Sequence, residues 1–102
     1  MQPTEPDEAT FGGYLRALRR SRGMSQRELA RLSFMDFTYI SKVENNRMPH
    51  TPSESFCLSL SQALQTDSWE MLRRAGKLPT PLLKKLLAMP VERWREIERS
   101  AE

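Results

Sequence analysis

Thr38, Ser41, Lys42 and Asn45 are the residues of this 102-residue chain whose types and spacing point to chemistry. Steps of three, four and seven positions place them along one side of a helix. With Ile40 taken as the inward direction, Val43 and Glu44 share its face. Thr38, Lys42 and Asn45 then point outward, flanked by Ser41 and Tyr39. Hydroxyls, an amide and an ammonium group have no packing purpose on such a face. They suit the donor and acceptor edges of bases and the oxygens of phosphates.

The charge distribution agrees. Residues 1–10 carry Glu5, Asp7 and Glu8 and no basic side chain, whereas residues 11–50 carry eight basic and three acidic side chains. Residues 51–102 are nearly balanced, and the whole chain has a net charge of +3. Positive charge gathered in one forty-residue stretch is the footprint that a phosphate backbone attracts.

Other chemistries find no constellation. His50 is the single histidine and Cys57 the single cysteine, so neither a metal set nor an internal disulfide can be assembled. Gly12-Gly13 follows no strand, and Gly76-Lys77 is followed by Leu78 rather than Ser or Thr, so neither is a phosphate-binding loop. No nucleophile lies beside a base. The chain is expected to be no enzyme and to need no cofactor. It has no membrane-length apolar run and no secretory signal, so the expected location is cytoplasmic, at the nucleoid.

The elements that must position these residues are all helical. Residues 1–10 read as a flexible acidic leader. Phe11, Leu15 and Leu18 predict a first helix from about Phe11 to Arg22, stopped by Gly23. Ser25 and Glu28 form a capping box for a second, over about Gln26 to Leu32. Asp36 caps a third, running to about Asn45. Ser53 caps a fourth with Phe56, Cys57, Leu60 and Leu64 inward, and Asp67 a fifth with Trp69, Leu72 and Ala75 inward. Thr80-Pro81 reads as a cap with Pro at the first helical position, opening a sixth helix to about Ala88. Pro90 separates it from a seventh. The expectation is an all-α, five-helix domain over residues 11–77 with a two-helix extension over 78–102.

Residues 25–46, SQRELARLSFMDFTYISKVENN, resemble the helix-turn-helix of the Cro/phage-repressor superfamily, also called the XRE family. Residues 11–23 are similar to its first helix, 52–64 to its fourth, and DSWEMLRRAG to its fifth. The resemblance implies a sequence-specific DNA-binding transcriptional regulator, a repressor acting as a homodimer on double-stranded DNA. The second helix of the motif would enter the major groove while the first crosses the backbone.

The resemblance assigns roles residue by residue. Thr38 and Lys42 would read bases, with Phe37 and Ser41 beside them. Gln26, Tyr39, Asn45, Asn46 and Arg47 would contact phosphates, and Gln26 would also brace the reading helix. Arg19 would pair with the inward Glu44, tying the first helix to the third. Arg16, Arg20, Arg22 and Arg27 would only enlarge the positive field. Asp36 reads as a cap rather than a cytosine reader, and Phe37 either presses on thymine methyls or folds into the core edge.

Departures from the pattern are plain. Phe34 stands where the family usually has a Gly at positive φ, so either the turn is remodelled or Phe34 covers the core. Asn46 replaces another Gly, in a conformation Asn tolerates. The MPHTP loop differs in length from the shortest members.

Beyond that fold, Leu82, Leu83, Leu86 and Leu87 make one apolar stripe, and Val91, Trp94 and Ile97 a second. So much apolar surface needs a cover. Two covers compete: packing back on the first and fifth helices, or a two-fold dimer interface. A rival function uses the same stripes and leader to bind a partner protein, as an antitoxin does.

Overall fold

The computed structural model describes residues 9–100. Among them are seven α-helices and no strand: α1 Phe11–Ser21, α2 Gln26–Ser33, α3 Phe37–Glu44, α4 Glu54–Leu64, α5 Ser68–Arg74, α6 Thr80–Leu87 and α7 Val91–Ser100. Residues 1–8 of the expected leader lie outside the described residues. Thr10, at its end, is the N-cap of α1, its hydroxyl accepting the Gly13 N–H at 3.1 Å.

Local signals set the helix starts. Ser25, Asp36, Ser53 and Asp67 each accept a backbone N–H from the first turn of α2, α3, α4 and α5, satisfying donors that have no partner within the helix. The ends share one device. After α1 to α5 the chain turns through a left-handed residue, in order Gly23, Phe34, Asn46, Gln65 and Gly76. Each turn is closed by a backbone bond to the carbonyl five residues back, such as Met35 N–H to Ala30 at 2.9 Å and Arg47 N–H to Lys42 at 2.9 Å. These are Schellman closures.

The turn after α2 is not remodelled, and Phe34 does not cover the core. Its φ and ψ are 58° and 42°, and its side chain is 95% exposed. The 6→1 bond of Met35 and the following cap at Asp36 hold the left-handed geometry although Phe carries a Cβ.

The core lies between the first five helices. Leu15, Leu29, Ile40, Leu60, Leu64, Met71 and Leu72 are fully buried there, with Phe11, Ala30, Val43, Cys57 and Ala75. Burying each of the large side chains contributes roughly 1.5–3 kcal/mol. The close helix pairs are α1 with α3, α2 with α3, α2 with α4, and α4 with α5. Two expected core residues face outward instead. Phe56 is 43% and Trp69 49% exposed, and Met71 takes the inward place in α5. Phe56 is covered on one side by Tyr39, the rings meeting edge to face at 5.4 Å. Cys57 is buried, and its burial pushes the thiol up to about 11.

Thr80 is not the cap of α6. Pro79 is, without a side-chain cap bond, and Thr80 is the first helical residue. Its N–H and Oγ1 instead reach Glu54 of α4, at 3.1 and 2.6 Å. The extension meets the first five helices lightly: α6 and α7 bury no residue, and Leu82 lies beside Trp69 and Arg73 of α5. Leu82 and Leu86 are half-buried, and Leu83, Leu87, Val91, Trp94 and Ile97 remain exposed. The indole Nε1–H of Trp94 donates to the Leu86 carbonyl at 2.6 Å, joining α7 to α6. Leu78, Leu83, Leu86, Leu87, Trp94 and Ile97 line an apolar groove between them. No described helix is long and apolar enough to cross a membrane.

Candidate nucleic-acid interface

The outward face of α3 is held from behind by Glu44. Its carboxylate is fully buried. Arg19 approaches it in bidentate geometry, Nε donating to Oε2 at 2.6 Å and Nη2 to Oε1 at 3.0 Å, while Nη1 donates to the Met24 carbonyl at 2.7 Å. Gln26 of α2 donates its Nε2–H to Oε1 at 2.9 Å, and Arg16 of α1 stands 3.5 Å from the same oxygen. One carboxylate therefore ties α1, α2 and α3 together. The expected Arg19–Glu44 pair is present, and the expected brace from Gln26 is this bond.

Arg16 does more than enlarge the positive field. Its Nη2 donates to Asn45 Oδ1 at 2.9 Å, and Asn45 Nδ2 donates to the Ser41 carbonyl at 2.9 Å. Asn45 is thus exposed but fixed in orientation. Asn46 is occupied at both ends: Oδ1 accepts the Gly12 N–H at 3.1 Å, and Nδ2 donates to Thr10 Oγ1 at 3.2 Å. Its amide stitches the start of α1 to the end of α3. Gly12 makes that approach feasible, because a Cβ there would stand 2.5 Å from the Val43 carbonyl and 2.6 Å from the Glu44 carbonyl. Sequence reasoning missed Arg16 and Gly12 as positioning residues. The signal within reach was a glycine in the first turn of a helix, where it costs helix propensity.

The remaining residues divide by exposure. Thr38 and Lys42 are exposed on the outer face of α3 and Ser41 is half-buried beside them. Arg47 is exposed just beyond it. Asp36 serves as the cap, accepting the Thr38 N–H at 2.6 Å. Phe37 lies at the core edge, with the Arg27 guanidinium 4.3 Å above its ring. Tyr39 also packs against the core, and burial raises its hydroxyl above the ordinary value. Arg22 turns away from the field role and binds the end of α4, its Nε donating to the Leu64 carbonyl at 2.7 Å.

The arrangement is two short helices at a tight turn, the second presenting a polar, cationic face of fixed orientation. A helix-turn-helix family profile matches residues 15–68, more than half of the chain. The chain belongs to the XRE-type helix-turn-helix family. With that membership it is a DNA-binding transcriptional regulator.

This XRE-type chain is similar to the restriction-modification controller protein C.AhdI from Aeromonas hydrophila at 38% identity, over 60% of this chain and 89% of that one, with a TM-score of 0.55. It is similar to the hypothetical transcription factor NHTF from Neisseria at 32% identity, over 78% and 88%, with a TM-score of 0.57. The clp gene regulator ClgR from Corynebacterium glutamicum is 26% identical over 95% of this chain and 97% of its own, with a TM-score of 0.57. No curated protein matches the chain.

Proposed function

We propose that this regulator is a repressor that binds a short inverted-repeat operator as a homodimer and occludes it, without cofactor or turnover. The observation that carries the reading is the outer face of α3. Thr38 and Lys42 are exposed there, and the helix behind them is anchored through Glu44 to two other helices. A reading helix held this rigidly pays little ordering cost on entering the major groove. Thr38 and Lys42 read bases, Lys42 suiting guanine O6 and N7. Ser41 and Phe37 border them, and Gln26, Tyr39, Asn45 and Arg47 lie where the backbone passes.

One such helix reads only a few base pairs. Two copies reach half-sites about 34–36 Å apart and so read a palindrome. The uncovered apolar groove between α6 and α7 supports a second copy docked there. That groove also favours the rival, a partner protein neutralised or sensed through α6 and α7.

Selection from a random duplex DNA library with the full-length protein, near physiological salt, tests the proposal. Enrichment of an inverted repeat is the expected result, with sedimentation giving a dimer. A folded protein that enriches nothing overturns operator reading and leaves the partner-binding rival.

A further inference from the structure

We infer that Glu54 and Thr80 form the positioning clasp that sets which half-site spacing the dimer accepts; this rests on the homodimer reading above.

The clasp matters because packing fixes α6 only lightly, through the buried Pro79 at the joint and the half-buried Leu82 beside Trp69 and Arg73 of α5. The first five helices lock by packing, α3 against α2 and α2 against α4. By contrast, α6 and α7 bury no residue against them. What joins the two parts is the segment from Gly76 to Pro79, the half-buried Leu82 beside α5, and the polar contact at the start of α6. Glu54 opens α4, and each of its carboxylate oxygens takes one hydrogen from Thr80, the backbone N–H at 3.1 Å and the hydroxyl at 2.6 Å. That N–H is a first-turn donor with no partner inside α6. Pro79 offers no side-chain cap, so a carboxylate from another helix supplies it, placed where the α6 dipole favours negative charge. The same contacts hold the Glu54 carboxyl below its ordinary value. A second tie braces the linker, Lys77 Nζ donating to Thr51 Oγ1 at 3.1 Å and Thr51 Oγ1 donating to the Ala75 carbonyl at 2.7 Å.

The rigid path therefore runs from α3 through α2 and α4 to Glu54, then across two hydrogen bonds to α6. If α6 and α7 hold the second copy, the angle at this joint fixes how the two reading helices lie relative to each other. Each base pair added between half-sites turns one of them by about 34° around the duplex. A clasped joint accepts one spacing, and an open joint follows several.

The test uses the full chain and duplexes carrying the selected half-site as inverted repeats, lengthened or shortened in one-base-pair steps. Wild type is expected to prefer its best spacing over one two base pairs longer by about tenfold or more. Glu54→Ala and Thr80→Val are expected to flatten that preference to about threefold or less, with single half-site affinity and dimerisation unchanged and a melting temperature lowered by no more than about 10 °C through the lost cap. Thr80→Ser keeps both donors and retains the wild-type profile. Dimeric, folded Glu54→Ala and Thr80→Val proteins with the wild-type profile overturn the clasp alone. A wild-type chain that sediments as a monomer on its selected DNA overturns the dimer reading and the clasp with it.

Discussion

Arg19 and Glu44 make two parallel hydrogen bonds, at 2.6 and 3.0 Å, across 25 residues of sequence and inside the protein. The pair joins the last turn of α1 to the last residue of the reading helix. Removing one charge leaves the other buried and uncompensated, which costs roughly 3–5 kcal/mol. Glu44→Gln should therefore lower the thermal midpoint by well over about 10 °C, given roughly 4–8 °C per kcal/mol for a domain of this size. A variant melting within a degree of wild type would remove the pair from any stabilising role.

Phe34 should be improved by losing its side chain. It occupies a left-handed conformation that costs a residue with a Cβ roughly 1–2 kcal/mol, and its exposed ring gives up no packing. Phe34→Gly is expected to raise unfolding free energy by about 1 kcal/mol, less the greater freedom of Gly in the unfolded chain. Denaturant titration measures this. A loss of stability would mean that the greater freedom of Gly in the unfolded chain outweighs the strain relieved at this position.

Lys42 and Arg47 should separate in kind rather than degree. Lys42→Ala should weaken the selected site and relax preference at one base position. Arg47→Ala should weaken all sequences alike and reduce the salt slope of binding by about one. Binding curves at several salt concentrations, on matched and single-substitution duplexes, decide it. Wild-type behaviour in both variants would displace the interface from the end of α3.

Glu70 should titrate unusually low. Hydrogen bonds from Arg73 first and Arg74 second hold its carboxyl at about 2. The folded value lies below the unfolded one, so the contribution to stability is complete above about pH 4.5 and is lost as pH falls through about 2. Carboxyl-carbon NMR should give a midpoint near 2, returning toward the ordinary value in Arg73→Ala/Arg74→Ala. A wild-type midpoint above 4 would show that the arginines do not hold it.

The sequence made the helices legible because their boundaries are local. Ser25, Asp36, Ser53 and Asp67 cap helices within three residues of themselves, and each does so in the structure. Glu44 was legible as an anomaly, an acid on an apolar face. What stayed hidden depends on how distant segments approach. The bonds from Gly12 to Asn46, Arg16 to Asn45 and Thr80 to Glu54 span 34, 29 and 26 residues, and no periodicity encodes them. Phe56 and Trp69 share the helical pattern of the core residues yet stay half-exposed, because folded surfaces keep much apolar area. At Phe34 the backbone closure outweighs the side chain's preference.

The half-exposed indole of Trp94 has a practical consequence. With Trp69 it completes the chain's two tryptophans, and it lines the groove between α6 and α7. A Trp69→Phe protein carries a single tryptophan, at that groove, which excitation at the red edge selects over the two tyrosines. Its emission maximum and quenching by iodide then become a label-free optical gauge of whatever comes to rest there.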